Sequence, residues 1–351
     1  MKHKTIGMLG GGQLGRMSAL AGYPLGLRTH VYAPEQTSPA TQVTPLHTMA
    51  SYDDFVALTT FANTVDIITY EFENIPLETV RFLETLKPVY PSSAVLEIAQ
   101  ERITEKTALN AFGLPTTRFA PARSVADVEA VFKQWGVTQC ILKTTRFGYD
   151  GRGQVFVKNT NDIAASFAAL KSDIVIVEDV VDFECEISVI VARDAFGNTG
   201  SYDPSVNVHK NHILHTSTVP AGLPESVLKQ AQTLAEKLAI QINLIGVLGV
   251  EMFVTRDHKL LINEIAPRPH NSGHWTMDAC PCSQFEQHMR AVAGLPLGSF
   301  ERTHDAVMTN LLGDDILQIP DLLKNPAAHV HDYGKLEAKP GRKMGHYTIL
   351  K

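Results

Sequence analysis

Apolar residues in the first part of the chain fall into short continuous runs that alternate with stretches of helical spacing. The runs predict strands at Thr5–Leu9, Thr29–Ala33 and Val65–Tyr70, and the helical spacing predicts helices at Gln13–Ala21, Asp53–Phe61 and Leu77–Leu86. Strands that alternate with helices are typical of a parallel sheet with helices on both faces. The sequence therefore predicts an α/β domain over residues 1–98.

The pattern changes in the middle of the chain, where several strands follow one another without long helices between them. Helical spacing predicts helices at Arg102–Phe112, Ser124–Trp135 and Glu225–Ile240. Apolar runs predict strands at Cys140–Lys143, Gln154–Lys158, Ile174–Val177, Glu186–Ala192, Gly246–Thr255 and Lys259–Ile265. This order predicts an antiparallel α+β domain over residues 99–296. Residues 297–351 carry only short elements and a basic stretch, Lys335–Lys343, and predict a small third domain.

Length and composition agree with this division and exclude some classes of partner. A chain of 351 residues is longer than one core usually serves, and its 31 basic against 37 acidic residues argue against wrapping nucleic acid or lying on an anionic membrane. We find neither a signal-peptide pattern nor a run of ~18 apolar residues. Of the four cysteines only Cys280 and Cys282 are close, without zinc spacing, so we expect reduced thiols in a cytoplasmic protein.

The first glycine-rich motif, Gly10-x-Gly12-x-x-Gly15, lies between a predicted strand and a predicted helix. This is the dinucleotide fingerprint in its proper place, and Glu35 follows about twenty residues later, so an NAD-dependent dehydrogenase is one interpretation. The motif does not require a dinucleotide, because glycines and a helix N-terminus suit any phosphorylated ligand. A tight turn without a ligand is the third possibility.

A second glycine-rich loop, from Lys143 to Gln154, joins two apolar strands. It is not a Walker loop, which leads from a strand into a helix and ends in Gly-Lys-Ser/Thr. Its glycines allow backbone N–H groups to converge on an anion, and Arg146 and Arg152 add positive charge. Lys143, at the end of its strand, is placed to reach a nucleotide phosphate. The alternative is a flexible hairpin loop with solvated arginines.

Two glutamates are predicted to face each other across a hairpin. If the turn is centred on Asp257-His258, antiparallel pairing places Glu251 opposite Glu264, with both side chains on one face and Asn263 on the other. Two carboxylates this close among apolar residues repel each other unless a cation lies between them. Mg²⁺ is the natural candidate, and a solvent-facing pair is the alternative.

Lys143, the glycine-rich loop and a metal-binding glutamate pair together predict a phosphoryl-transfer site. Neither a dehydrogenase nor a non-catalytic nucleotide-binding module explains why both the loop and the pair are present.

These motifs, in this order, resemble the ATP-grasp superfamily and, within it, the 5-(carboxyamino)imidazole ribonucleotide synthetase family. The segments that carry the resemblance are Gly10–Met17, Gly148–Gln154, Asn263–His274, Tyr333–Lys335 and Gly341–His346. The family fold implies a Rossmann-like domain that binds the substrate phosphate, a central ATP-grasp domain, and a small C-terminal domain that closes the substrate site. Phe147 departs from the pattern, since many members have glycine there.

The resemblance implies an ATP-dependent ligase of purine biosynthesis. ATP, bicarbonate and 5-aminoimidazole ribonucleotide would give N5-carboxyaminoimidazole ribonucleotide, ADP and phosphate, with Mg²⁺ or Mn²⁺ and no biotin, in a homodimer. The implied metal ligands are Glu251 and Glu264. The implied ATP contacts are Arg102, Lys143, Gly148, Tyr149, Asp150, Gly151, Arg152, Gly153, Gln154, Glu178, Asp179, Val180, Val181, Glu186, His209, Asn263 and Glu264.

The resemblance also implies a substrate site. Its contacts would be Gly12, Gln13, Leu14, Glu73, Tyr149, Arg152, His270, Asn271, Lys335 and Arg342, with Asp150, Arg268 and Lys335 in catalytic roles. Asp150 would accept the proton of the substrate amine. Ala266 stands two places after the second metal glutamate, where biotin carboxylases often have asparagine, which argues against that branch. His270 and His274 could hold a metal, although polar substrate contacts are the favoured interpretation.

Overall fold

The fold was analysed in a computed structural model, which describes residues 3–148 and 151–351. Tyr149 and Asp150 lie outside the described residues, so the roles predicted for them stay predictions. The four cysteines are all within the described part of the chain and are free. None of the helices in the described ranges is long and apolar enough to cross a membrane.

The N-terminal part contains the predicted parallel sheet. Its elements are β1 (Thr5–Leu9), α1 (Gln13–Gly22), β2 (Arg28–Ala33), β3 (Leu46–Met49), α2 (Phe55–Ala62), β4 (Ile67–Tyr70) and α3 (Leu77–Glu84). The strand order is β3-β2-β1-β4, and β1 pairs in parallel with both β2 and β4. The pattern missed β3 because this strand lies at the sheet edge and carries no buried residue.

Two helices connect this sheet to a smaller antiparallel one. They are α4 (Ser93–Gln100) and α5 (Arg102–Ala111), which are followed by β5 (Phe119–Ala122), α6 (Val125–Trp135), β6 (Cys140–Thr144), β7 (Gln154–Val157), α7 (Ile163–Leu170) and β8 (Val175–Glu178). The strand order is β5-β8-β6-β7. The glycine-rich loop connects β6 to β7, neighbours in this sheet, so its two ends are held close together.

A large antiparallel sheet completes the structure. Its elements are β9 (Phe183–Arg193), β10 (Thr199–Ser201), β11 (Ser205–Lys210), β12 (Ile213–Val219), α8 (Glu225–Gln241), β13 (Gly246–Thr255), β14 (Leu260–Ala266), α9 (Thr276–Ala279), α10 (Gln284–Ala293), β15 (Ala306–Leu312), α11 (Ile319–Leu322), β16 (Ala328–Asp332) and β17 (Lys343–Leu350). The main strand order is β14-β13-β9-β11-β12-β15-β17-β16. The C-terminal strands therefore continue the central sheet.

The fold class expected from the sequence is confirmed: a parallel N-terminal sheet, a central antiparallel region and a small C-terminal part. The main core lies where β9 and β13 pack against α8, with Val189, Leu238 and Leu248 completely buried. Beyond this face, α5 brings Leu109 and α4 brings Val95 into the same cluster. The helices that carry residues to the site are thus anchored on the central sheet.

Removal of core volume beneath the site should destabilise the protein strongly. We expect Leu248→Ala to lower the free energy of unfolding by about 2–5 kcal/mol, because the side chain is fully buried and leaves a cavity. Leu317→Ala is the matched control, since that leucine is 76 % exposed and should change little. Urea unfolding monitored by circular dichroism measures both, and equal effects would contradict the assigned core.

Candidate active site

A cavity of about 640 Å³ opens between the small and the large antiparallel sheets. Its walls come from both sheets, from α5 and from the loop after β4. The lining residues are Glu73, Arg102, Ile141, Lys143, Gly148, Gly151, Arg152, Gln154, Phe156, Phe183, Glu186, His209, His212, Leu214, Glu251, Phe253, Asn263, Glu264, Arg268, His270, Asn271 and Lys343. The fold thus gathers the second glycine-rich loop, the glutamate pair and part of the predicted substrate site around one space.

The glutamates pair as predicted, but by a different register. Glu251 lies directly opposite Glu264, whereas the strand pairs nearer the turn are offset by one residue, as in Val254 opposite Leu260. A bulge at Asn263 corrects the offset. The predicted turn centre was therefore wrong by half a residue. The prediction that Asn263 lies on the other face was also wrong, because Asn263 lines the cavity with both glutamates.

The charges around the glutamate pair differ on its two sides. Arg102 donates to Glu264 at 2.8 Å, and its charge lowers the pKa of Glu264 although burial acts in the opposite direction. Burial raises the pKa of Glu251, and the neighbouring carboxylate of Glu264 raises it further. His270 Nε2 lies 3.2 Å from Glu251. A cation between the carboxylates would remove this mutual repulsion.

The ligand chemistry fits a hard divalent cation. Glu251 and Glu264 supply carboxylate oxygens, and the buried Oδ1 of Asn263 has no hydrogen-bond partner among the residues described. Oxygen ligands of this kind are preferred by Mg²⁺ and Mn²⁺. The orphaned amide oxygen beside two opposed carboxylates is the observation that favours a metal here.

Two lysines share one buried glutamate, and one of them, Lys143, lines the cavity. Lys143 Nζ lies 2.6 Å from Glu178, and Lys106 Nζ lies 3.3 Å from the other oxygen of the same carboxylate. These cations lower the pKa of Glu178 against the effect of burial. Sequence reasoning missed Lys106, which is completely buried. Its position four residues after Arg102 on one helix was the available signal, because such residues share a face.

One wall of the cavity is apolar and suits a flat ring. Phe183 and Phe253 stack with ring centroids 4.8 Å apart, and Ile141 and Phe156 face the same space. At its rim His209 lies 3.0 Å from Glu186, whose hydrogen bond raises the pKa of His209 although burial would lower it.

Several predicted ATP contacts do not line the cavity. Gly153 accepts a hydrogen bond from the Thr144 amide at 2.7 Å and so closes the base of the loop. Asp179 binds Arg118 at 2.6 Å, on the far side of the strand end from Glu178. Glu178 is buried and also absent from the lining, and Val180 and Val181, which follow Asp179, are partly exposed.

The glycine-rich loop between β6 and β7 adopts backbone conformations that explain its composition. Gly151 has φ +78°, and an added Cβ there would collide with His212 at the tip of the β11–β12 hairpin. Phe147 has φ +61° and is largely exposed, although this region normally favours glycine. Phe147 therefore adopts a backbone conformation that glycine reaches more easily than phenylalanine.

The other end of the cavity carries the predicted substrate groups. Arg268 holds Glu73 through two hydrogen bonds of 2.5 and 3.0 Å. His270 Nδ1 lies 2.8 Å from the Ser272 hydroxyl. Both side-chain amide atoms of Asn271 are buried without a hydrogen-bond partner in the described part of the chain. His274 lies away from the cavity, buried against Gln284 at 2.9 Å, so it does not join His270.

The N-terminal glycine turn already contains a carboxyl group from the protein itself. The buried carboxylate of Glu71 accepts hydrogen bonds from the amides of Gly12 and Gly15, the latter at 2.7 Å. Gly10 has φ +110°, and a Cβ at Gly10 or Gly12 would collide with Glu71. The glycines of this motif therefore make room for Glu71. Sequence reasoning missed this residue, which follows β4 and precedes Glu73.

The predicted C-terminal residues lie beside this turn and outside the cavity lining. Lys335 Nζ donates to the Lys343 carbonyl at 2.6 Å. Burial raises the pKa of Glu71, and the charge of Lys335 acts in the opposite direction. Burial lowers the pKa of Lys335 to about 8, and the cations of Arg342 and Lys343 act in the same direction. Arg342 donates to the Glu337 carbonyl at 3.0 Å.

A separate cluster of Asp278, His331 and His346 joins α9 to the C-terminal strands. Its potential ligand atoms lie within 4.8 Å of one another. The rings of His331 and His346 are stacked with planes 16° apart, so their in-plane lone pairs run side by side instead of converging. His331 Nε2 is hydrogen-bonded to Asp278 at 3.0 Å. This arrangement is explained by a hydrogen-bonded contact between elements.

Three family models match successive parts of the chain. The ribonucleotide synthetase preATP-grasp domain matches residues 3–100, the ATP-grasp domain matches residues 107–285, and the phosphoribosylaminoimidazole carboxylase C-terminal domain matches residues 306–351. The N5-carboxyaminoimidazole ribonucleotide synthase of Brucella melitensis is 49% identical, with 99% of this chain and 96% of that protein covered. The chain belongs to the N5-carboxyaminoimidazole ribonucleotide synthase family.

Other members of the family agree with this assignment. The enzyme of Bacillus subtilis is 42% identical over 99% of this chain and 91% of its own length. An ADP complex of an N5-carboxyaminoimidazole ribonucleotide synthetase superposes with a TM-score of 0.95 at 41% identity, covering 100% of this chain and 94% of that one. The Aspergillus clavatus synthase, in complex with ADP and 5-aminoimidazole ribonucleotide, gives 0.93 at 31% identity, covering 99% and 94%.

Membership of this family makes the protein an ATP-grasp ligase, as the second glycine loop and the glutamate pair predicted. The dehydrogenase interpretation of the first glycine motif is therefore wrong. The local signal was misleading because the same strand-turn-helix can hold an internal carboxylate.

Gly151 provides a test of the contact between the second glycine-rich loop, between β6 and β7, and the β11–β12 hairpin. We call this loop the phosphate loop. We expect Gly151→Ala to lower kcat/KM for ATP by about tenfold, because strain at positive φ and collision with His212 displace the loop. Gly136→Ala is the control: Gly136 has φ +67° at the end of α6, with open space around its Cβ position. Steady-state kinetics should show the loss only in the first variant. Equal losses would mean that backbone strain alone is responsible.

Proposed function

We propose that this protein uses ATP and bicarbonate to carboxylate 5-aminoimidazole ribonucleotide, and releases ADP, phosphate and N5-carboxyaminoimidazole ribonucleotide. The observation that carries the proposal is the single cavity in which the opposed Glu251 and Glu264 share a space with the phosphate loop at one end and the Glu73–Arg268 pair at the other. Nucleotide chemistry and substrate chemistry would therefore meet within one cavity.

Glu251 and Glu264, with Asn263 beside them, would hold Mg²⁺ or Mn²⁺. When bound to these residues, the cation would supply positive charge that neutralises the charge developing on the ATP phosphates. The chain's own contribution is the geometry of the ligands. Arg102 keeps Glu264 ionised, and the bulge in β14 brings the amide oxygen to the same side as the carboxylates.

ATP would lie with its base against the apolar wall formed by Phe183 and Phe253. The triphosphate would then extend along Lys143 towards the glycine loop and the glutamate pair. Lys143 is held by Glu178, with Lys106 as a second buried cation beside the same carboxylate. This arrangement fixes the ammonium group before the nucleotide arrives, so little reorganisation is needed.

The substrate would occupy the end of the cavity lined by Arg268, His270 and Asn271. The unpartnered amide of Asn271 is suited to hydrogen-bond the ribonucleotide. Since Glu71 uses the amides of Gly12 and Gly15, the first-turn amides of Gln13 and Leu14 are the ones left for the substrate phosphate.

Further groups would complete the substrate site from two sides. Lys335 and Arg342 would approach the phosphate from the C-terminal strands, and Arg152 from the loop. Gly12 would shape the turn. We retain Asp150 as the proton acceptor predicted from the sequence.

The reaction would begin with attack of a bicarbonate oxygen on the γ-phosphorus. The new phosphorus–oxygen bond gives carboxyphosphate as the bond to the β-phosphate oxygen breaks and ADP leaves. Carboxyphosphate then divides into CO₂ and phosphate, and the substrate amine forms a bond to the carbon and loses a proton. Arg268 would hold the anions at this stage. Water must be excluded because it destroys carboxyphosphate, and closure of the glycine loop would do this.

The proposed reaction is tested by measuring phosphate release and carboxylated product together. In bicarbonate buffer with ATP, we expect 5-aminoimidazole ribonucleotide to stimulate phosphate release and to give about one product per ATP. Glu264→Gln should abolish turnover while circular dichroism stays unchanged, because the metal site loses one charge. NADH binding by the parent protein without ATP turnover would contradict the proposal, as would normal activity of the variant at low Mg²⁺.

Lys335 should impose a pH limit on substrate use. Its pKa is lowered to about 8, so the free enzyme loses this cation as the pH rises through that value. We expect kcat/KM for the ribonucleotide to fall by roughly 10- to 150-fold overall, since a hydrogen bond to a charged group is worth about 1.5–3 kcal/mol. Lys335→Arg keeps its charge and should not show the fall. Identical pH profiles for the two proteins would exclude the role of Lys335.

A further inference from the structure

Gln100, the last residue of α4, connects parts of the site that are far apart in sequence. Its Nε2 donates to the carbonyl oxygens of Glu73 and Ile75, at 2.7 and 2.6 Å. Its Oε1 accepts a hydrogen bond from Arg146 at 2.6 Å. The residue is only 7% exposed. One side-chain amide therefore uses both donors and its acceptor on two different segments.

The two segments lead to opposite ends of the cavity. Arg146 lies at the base of the phosphate loop, two residues before the cavity-lining Gly148. Glu73 lies on the loop after β4, and its carboxylate holds Arg268 through two hydrogen bonds. The contacts form a continuous series from the phosphate loop through Gln100 and Glu73 to Arg268.

Gln100 is absent from the cavity lining, so it acts through these neighbours. Its loss would leave the carbonyls of Glu73 and Ile75 without their side-chain donor and would remove the hydrogen bond between Gln100 and Arg146. A buried polar group that loses its partner favours local rearrangement. The position of Glu73, and with it the orientation of Arg268, would then no longer depend on the position of the loop.

We propose that Gln100 is a positioning residue that couples ATP cleavage at the phosphate loop to carboxylation at Arg268. The proposal rests on the proposed function. When the series of contacts is intact, the phosphate loop and Arg268 keep fixed positions relative to each other while carboxyphosphate is present. When it is broken, ATP is still cleaved, but carboxyphosphate decays before its carbon is transferred to the amine.

The central experiment compares Gln100→Met with a matched control, Gln287→Met. Gln287 is likewise a buried glutamine, and its side chain donates to the Gly298 carbonyl and accepts from the Gly298 amide, both at 2.9 Å, but it lies outside the cavity lining. We expect Gln100→Met to reduce the ratio of carboxylated product to ADP at least threefold, with the KM for ATP changed less than twofold. Gln287→Met should keep the parent ratio even if its melting temperature falls.

Arg146 tests the same series from the loop end and remains informative if Gln100→Met fails to fold. Arg146→Met should lower the ratio, whereas Arg146→Lys keeps a donor for Gln100 and should restore it. The double variant Gln100→Met/Arg146→Met should be no worse than the poorer single variant.

An unchanged ratio in both Met variants would overturn the proposal, as would reductions that multiply in the double variant. The measurement on the parent protein distinguishes a failure of the Gln100 proposal from a failure of the proposed function. If the parent forms no carboxylated product, the proposed function is wrong. If the parent and both Met variants show the same ratio of carboxylated product to ADP, only the role of Gln100 is wrong.

Discussion

The site depends on the antiparallel pairing of β13 with β14 and on the bulge that interrupts it. A continuous ladder alternates side chains between two faces, so the adjacent residues Asn263 and Glu264 could not both lie on the face that carries Glu251. The bulge at Asn263 places this residue beside Glu264 and keeps Glu251 directly opposite. The central core beneath the pair holds this geometry, because β13 also pairs along its whole length with β9.

Charged side chains in and beside the cavity form ion pairs, and a bound nucleotide or metal could replace one partner of such a pair. Glu264 is bound by Arg102, and Glu178 is shared by Lys143 and Lys106. Burial of such ions is expensive, and replacement by apolar groups often stabilises a protein. Their presence is better explained by function, because fixed charges in a water-poor space stabilise phosphoryl transfer without reorganisation.

The N-terminal turn shows why a local motif can indicate the wrong ligand. A glycine-rich turn before a helix creates backbone donors and a positive end, which attract any anion. Here the carboxyl group of Glu71 accepts the hydrogen bonds of Gly12 and Gly15, at the position where a dinucleotide pyrophosphate would bind. The glycines are required by both arrangements, so the motif alone does not distinguish them.

The sequence alone determined the element types, the order of parallel and antiparallel regions, and the facing of Glu251 and Glu264. These depend on short-range periodicity and on a hairpin of adjacent strands, which are local properties. It also located the phosphate loop, since its glycines and Lys143 are contiguous. Local pattern could not reveal β3, which has no buried face, or the C-terminal strands' place in the central sheet.

Only the tertiary structure decided the contacts between distant segments. Glu71 is separated from Gly12 by 59 residues and Gln100 from Arg146 by 46, so neither partner can be read from spacing. The same is true of the bulge, which depends on how β14 fits against its neighbour. Sequence periodicity specifies which face of an element is buried, but the partner of a buried polar group is fixed only when the elements pack together.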